Sequence, residues 1–283
     1  MKKLLAFALT ASLSLSLFAA DIFKYAPITG NVKAYIETDF SIATRFGTLY
    51  RTPSSKIMHI FDSNGKESSS SELTPKDAVI NTISSTYDTA GNLAEQLCTS
   101  ADGETVWKNT YTYKNGLKID ASEYDRKGNL RARTIYTYEN NLLVDESSYD
   151  GEGALIWKTI YKYDNNRISS VNEYNPDGSL SEQTDYNYTE TGAIDSVTKF
   201  DVFAGKQTSM IFRYAANGSL SEITTYNAEK QVIKRTLIKY DSKGNVNKVS
   251  EYDVAEKFGT TVNELIAMSE YSYEYTDGAA DAK

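Results

Sequence analysis

One cysteine, Cys98, one histidine, His59, and only 4 prolines occur in 283 residues. A lone thiol forms no internal disulfide, and one Cys with one His falls short of the four ligands of a structural zinc site. Acyl transfer or metal hydrolysis would have to pass through a single imidazole. Both residues therefore read as packing or surface groups, and neither a metal nor a cofactor is expected. Past the first twenty residues no apolar run approaches the ~20 residues that cross a bilayer, so no integral membrane span is expected.

The first twenty residues have the three-part layout of a secretory leader. Lys2 and Lys3 precede an apolar run from Leu4 to Phe18, and Ala19-Ala20 stands before Asp21. Cleavage after Ala20 is expected, which sends the chain to the periplasm, the outer surface or the medium. Losing the leader takes Lys plus Arg from 30 to 28 against 38 acids, so the formal charge moves from −8 to −10. Nucleic acid and anionic lipid are bound chiefly through Lys and Arg, and an acidic chain suits neither.

What is abundant is tyrosine, 22 residues against 10 Phe and 2 Trp. Most of the tyrosines recur on a period. A doublet of the form aromatic-x-Tyr appears at 111/113, 136/138, 161/163, 186/188 and 212/214, and Ile238-x-Tyr240 continues it, in steps of 25, 25, 25, 26 and 26. Between doublets an aromatic precedes Asp or Asn: Tyr124-Asp125, Tyr149-Asp150, Tyr174-Asn175, Phe200-Asp201, Tyr226-Asn227 and Tyr252-Asp253. The period extends back through Tyr87 and Phe61. Forward, Tyr273 falls 33 after Tyr240, the period plus 7. Each half-unit reads as a strand and a tight turn, because Asp or Asn opening with Gly three places on marks a type I turn closed by a left-handed residue.

The strands alternate with period two. Leu155, Trp157, Thr159, Tyr161 and Tyr163 are expected on one face, Ile156, Lys158, Ile160 and Lys162 on the other. A similar pattern places Leu130 with Tyr136. The fold class is all-β: a repetitive antiparallel hairpin meander forming a twisted or curled sheet of 25–26-residue units. A propeller would need alternate units to match best, whereas the markers match in every unit. The organisation is a leader at 1–20, an N-terminal cap segment at 21–54, the repeat array at 55–275 and a tail at 276–283. Thr74-Pro-Lys-Asp77 supports a short helix over 78–83, although Ile80 and Ile83 equally suit a strand. Thr261 to Glu264 has the form of a capping box, yet Leu265 aligns with Leu155 and favours a strand. Ser68 to Ser71 reads as a loop.

Tyr-Asp-x-x-Gly-Asn-Leu at 87–93 and 124–130, and Tyr-Asp-x-x-Gly-Asn-Val at 240–246, resemble the tyrosine–aspartate (YD) repeats of the bacterial Rhs family. The resemblance covers about 220 residues. It implies curled β-sheet shells or spirals in secreted or surface proteins, with carbohydrate binding and toxin packaging attached to them. This chain is far shorter than a toxin-enclosing shell. Antitoxin repeats of the form Tyr-x-x-Asn-Gly-x-Leu are similar too, with a shorter unit. Neither family brings catalytic residues to carry over.

A row of tyrosines on a sheet face can stack sugar rings or hold a protein, since Tyr offers a flat apolar body and a polar tip. The same row also packs strand against strand. The residues singled out for binding are Trp107, Tyr111, Tyr136, Trp157, Tyr161 and Tyr186. Each Asp/Asn-Gly turn offers one or two oxygens, where calcium takes six to eight, so the turns read as turn chemistry. No carboxylate pair stands out as a glycosidase acid and nucleophile. The expectation is a non-enzymatic exported scaffold that binds glycan or protein. The alternative is a self-associating envelope protein that pairs through open sheet edges, and a hydrolase acting on glycan ranks last.

Overall fold

The computed structural model describes residues 22–23, 25–257 and 259–276. The leader and residues 277–283 lie outside the described residues.

Eighteen strands follow one another in chain order. They are β1 (Val32–Arg45), β2 (Thr48–Phe61), β3 (Glu67–Leu73), β4 (Val79–Tyr87), β5 (Leu93–Ser100) and β6 (Thr105–Lys114). The middle of the wall is β7 (Leu117–Asp125), β8 (Leu130–Glu139), β9 (Leu142–Asp150), β10 (Leu155–Asp164), β11 (Arg167–Tyr174) and β12 (Leu180–Tyr188). It ends with β13 (Ile194–Asp201), β14 (Lys206–Tyr214), β15 (Leu220–Tyr226), β16 (Val232–Tyr240), β17 (Val246–Lys257) and β18 (Thr260–Tyr275). Each strand pairs antiparallel with the next, and β1 also pairs with β18 from Val32↔Tyr275 to Ser41↔Ala267. The hairpin meander expected from the repeat is thus a closed barrel. Closure removes the lateral edges. The open edges expected for self-association are confined to the projecting parts of the β1–β2 and β17–β18 hairpins.

Residues 32–54, read as a cap, form β1 and the first half of β2, the pair through which the wall closes. The serine run read as a loop is β3: Ser68 Oγ donates to Ile60 O at 3.1 Å, and Ser71 and Thr82 share a hydroxyl bond of 2.9 Å. Strands on both sides satisfy its backbone, which decides the matter over composition. Thr74 to Ala78 is a turn rather than a helix start. Thr74 Oγ1 caps Ala78 N at 3.1 Å, and Asp77 at φ 66° takes the place glycine holds in other units. Residues 260–275 are strand, as Leu265 indicated.

The turns follow the markers. Asp125 Oδ1 accepts from Lys127 N at 2.8 Å and Asn129 N at 2.9 Å, Asn129 Nδ2 donates to Oδ2, and Gly128 closes the turn at φ 82°. The Asn129 side chain and these amides hold the Asp125 carboxyl below its ordinary range. Donors within the turns do the same at Asp62, Asp88 and Asp177. At the opposite rim, Asn140-Asn141 and Asn165-Asn166 make two-residue turns with both residues at positive φ, from 49° to 64°.

Nearly every hairpin carries a bulge. Between β8 and β9, Tyr138 faces Leu143 while Thr137 faces Asp145, leaving Val144 over. The carbonyl at the bulge takes a hydroxyl from the second tyrosine of the next doublet: Tyr163 to Leu143, Tyr188 to Ile168, Tyr214 to Ile194 and Tyr240 to Leu220, at 2.7 to 2.8 Å. Tyr87 and Tyr138 repeat this with Glu67 and Lys118, each 20 residues back. Tyr273 reaches Val246 at 2.7 Å, 27 residues back, because the extra residues lengthen the β17–β18 hairpin without moving the lock. Bulges also change parity. Leu155 faces Tyr149 past the bulge at Ile156, and Leu130 faces Tyr124 past the bulge at Arg131, so neither leucine shares a face with the doublets as strict alternation predicted.

The face that carries the doublets is concave. Phe23 packs on Tyr35 of β1 and Tyr271 of β18, with ring centroids 5.7 and 5.4 Å apart, and Tyr25 packs on Phe212 of β14 at 4.9 Å. Along a flat sheet β18 and β14 would stand about 19 Å apart. Two residues of chain advance only about 7 Å, so the wall curls around this segment. Ile22, buried at 2% exposure, sits with it among Val197, Ile223, Ile238 and Val249.

The outer face carries a ladder of ion pairs 13 residues apart: Glu95–Lys108, Asp120–Arg133, Asp145–Lys158 and Glu222–Arg235, at 2.5 to 3.6 Å. These charges stand where a lipid-facing barrel carries an apolar band.

Candidate functional site

The inner face divides into two sectors. From β13 to β18 and on to β1 the lining carries the apolar cluster, with buried Glu37, Thr236 and Glu251 beside it, and residues 22–23 and 25–28 pack on that cluster. From β5 to β12 no described segment covers the lining. Here, on alternate strands, the first aromatics of the doublets stand as a half-buried row, Tyr111, Tyr136, Tyr161 and Tyr186.

Their hydroxyls are engaged unevenly. Tyr111 Oη donates to Gln96 Oε1 at 2.6 Å and Tyr161 Oη to Glu146 Oε2 at 2.8 Å. Burial, then that carboxylate, pushes the Tyr161 phenol far up. Burial with the charges of Glu146 and Asp120 pushes Tyr136 up to about 12. The Lys118 ammonium lies 4.2 Å from the Tyr136 ring centroid and 5.8 Å from that of Tyr111. Tyr186 sits at the sector boundary, packed against the apolar cluster.

Trp107 and Trp157 occupy the same place in their units, two units apart, with Ala132 at the equivalent position between them. Ala132 faces Glu123, and Trp157 faces Ser148, which is 3% exposed. The four spacings from β6 to β10 put the two indoles about 19 Å apart along the wall, with Glu123, Ala132 and Ser148 between them. Trp157 is 38% exposed. Further round the wall, Lys199 pairs with Glu182 at 2.7 Å, and burial with the Glu182 charge raises the Glu173 carboxyl. The lining can thus stack flat apolar rings and accept hydrogen bonds from hydroxyl or amide groups. Five of the six sequence-predicted residues lie within the uncovered sector, and the sixth, Tyr186, stands at its boundary.

Sequence reasoning missed Gln96 and Glu146. Each lies 15 residues before the tyrosine it accepts from, and a polar residue there was the available signal. It also missed the seam beside the covered sector. Tyr271 Oη lies 3.4 Å from Glu37 Oε1. Burial, with Asp39 nearby, pushes the Glu37 carboxyl up to about 7. His59 stacks on Tyr35 at 4.3 Å and places Nδ1 2.9 Å from Glu67 Oε1, so both partners of the lone imidazole are structural. Cys98 is 2% exposed, and burial raises its thiol.

Wall and lining together define a closed eighteen-stranded meander barrel with an aromatic, polar inner sector. No protein-family model matches the chain, and no curated protein matches it. Among solved structures it is similar to a porin-like protein from Bacteroides uniformis ATCC 8492, with a TM-score of 0.50 and 12% identity over 88% of this chain and 99% of that one. A porin-like protein from Bacteroides vulgatus ATCC 8482 gives a TM-score of 0.40 at 10% identity, over 75% and 99% of the two chains. The TcdB2-TccC3 structure without its hypervariable C-terminal region gives 0.31 at 11% identity, over 82% of this chain and 17% of that one. The first likeness is one of fold.

Proposed function

We propose that the chain is an exported, non-catalytic scaffold that holds an envelope or extracellular partner, glycan or protein, on the uncovered tyrosine-rich sector of its inner face. The observation that carries this reading is the division of the lining: residues 22–23 and 25–28 cover the apolar cluster, and among the described residues no segment covers the aromatic and polar sector. Trp107 and Trp157 are the stacking platforms in this reading, with Tyr111, Tyr136 and Tyr161 beside them and Tyr186 at the margin. The carboxylates of Glu123 and Glu146 supply hydrogen-bond acceptors. Export to the periplasm, outer surface or medium follows from the leader. Kinship with YD-repeat proteins of the Rhs family rests on the Tyr-Asp-x-x-Gly-Asn markers and belongs to the same proposal.

Intrinsic fluorescence tests it, because both tryptophans line the sector and no third one obscures them. Titration with soluble envelope saccharide fragments, and separately with an envelope protein extract, is expected to shift the emission. Trp157→Ala is expected to weaken the response without lowering the melting temperature. An emission spectrum indifferent to every envelope fraction sinks the reading.

A further inference from the structure

In an antiparallel barrel every turn that follows an odd-numbered strand lies on one rim. On that rim two hairpins end in fully exposed aromatics: Phe46 between β1 and β2, at 107% relative exposure, and Phe203 between β13 and β14, at 99%. The turns of the opposite rim carry no aromatic: 62–66, 88–92, 115–116, 140–141, 165–166, 189–193, 215–219 and 241–245.

Both aromatics break the chain's own turn chemistry. Phe46 sits at φ 50°, the place filled by Asn115, Asn140 and Asn165 in three other two-residue turns. A bulky residue there is strained where Asn is not, and an exposed ring returns nothing to the fold. Val202 and Phe203 stand where other units have Arg126 and Lys127, or Pro176 and Asp177. Local rules broken without internal compensation mark places selected for an external contact.

The surroundings say what that contact is. β1 leaves β18 after Ser41↔Ala267, and β2 meets β3 only from Lys56↔Leu73, so residues 42–45 and 48–55 pair only within the β1–β2 hairpin. The tip reaches about 13 Å past the last β1–β18 pair, next to the β17–β18 hairpin, which itself runs four residues past the last β16–β17 pair, with Leu49 and Tyr50 about half exposed just below the tip. Exposed basic side chains flank both rings: Arg45 beside Phe46, and Lys206 three residues after Phe203. These run against the acidic balance of the chain. Five strand spacings, about 24 Å of wall, separate the two hairpins. A surface with an apolar interior and phosphates at its face offers sites to both rings and both cations. Sockets on a globular partner would have to be matched separately. Aromatic rings at the headgroup boundary with Arg or Lys reaching phosphate are the usual contents of such an interface.

We propose that this rim docks on a phospholipid bilayer surface, with Phe46 and Phe203 entering the headgroup boundary and Arg45 and Lys206 meeting lipid phosphates. This holds whether or not the inner face binds a ligand.

Co-sedimentation of the full mature chain with phosphatidylethanolamine–phosphatidylglycerol vesicles tests it. The wild type is expected in the pellet. Phe46→Asn and Phe203→Ser are each expected to weaken binding about tenfold, and the double variant to stay in the supernatant. Phe46→Asn relieves backbone strain, so its melting temperature should hold or rise, which separates lost docking from lost folding. Wild type that remains in the supernatant overturns the proposal, as does a double variant that pellets like the wild type. Concentration-dependent dimerisation abolished by the same variants would assign the tips to a second copy of the chain and overturn the lipid assignment.

Discussion

The hydroxyl of Tyr163 donates to the carbonyl of Leu143 at 2.7 Å, across the bulge that β8 and β9 share. Six further tyrosines make the equivalent bond to the carbonyl at their own bulge. A bulge breaks the ladder, and the hydroxyl satisfies an acceptor at the break. The second tyrosine of these doublets is therefore a lock on the wall, whereas the first aromatic lines the inner face.

Tyr163→Phe should lower stability by about 1 kcal/mol, since it deletes one hydrogen bond and leaves its acceptor unpaired. Tyr138→Phe and Tyr214→Phe lie in separate units, and their losses should add within a few tenths of a kcal/mol. Thermal melts of the single and double variants decide it. Melting temperatures identical to wild type would mean that the locks contribute nothing.

Ile22→Ala should cost about 3 kcal/mol, because Ile22 is 2% exposed in the apolar sector and the curled wall cannot collapse onto the space left. Chemical denaturation measures this. A loss below about 1 kcal/mol would indicate a segment loosely held rather than packed.

Stability should fall on both sides of about pH 4 to 5, for opposite reasons. Glu37 has its folded pKa raised to about 7 from 4.5, so its contribution is full below 4.5 and is lost as pH rises through 7. The raised value corresponds to about 3 kcal/mol. Asp62, Asp88, Asp125 and Asp177 are depressed, so their contribution is present above the ordinary carboxylate range and is lost as pH falls. Glu37→Gln should match wild type at pH 4 and melt higher at pH 8. Parallel pH profiles for the two proteins would refute the assignment to Glu37.

Cys98 should react with a thiol reagent only on unfolding, because burial both shields it and raises its pKa. Labelling in native buffer at the rate of a free thiol would contradict its placement.

The repeat was legible because each unit states its local structure twice: once in the Asp or Asn that folds its own turn, once in the aromatic spacing that alternates along its strand. Asp125 behaves as its five-residue context requires, wherever the unit sits. Parity failed at Leu130 and Leu155, since no pattern in one strand reveals the extra residue its partner will oppose. The serine run failed for a related reason. Serine's weak strand preference was outweighed by neighbours paired on both sides. Among the six residues singled out for binding, the spacing placed the tyrosines on one face. What divided that face was Ile22, Phe23 and Tyr25, residues with no period at all.

The sequence by itself determined the unit, its turns and the excess of tyrosine, because these rest on contacts within 20 to 27 residues. Tertiary structure alone decided closure, which face is inner and which part of it stays uncovered. Those depend on β1 meeting β18 some 230 residues away, and on where a non-repeating segment comes to lie against the wall. Local spacing specifies a strand's neighbours in the meander; it carries no information about how many units complete the circle.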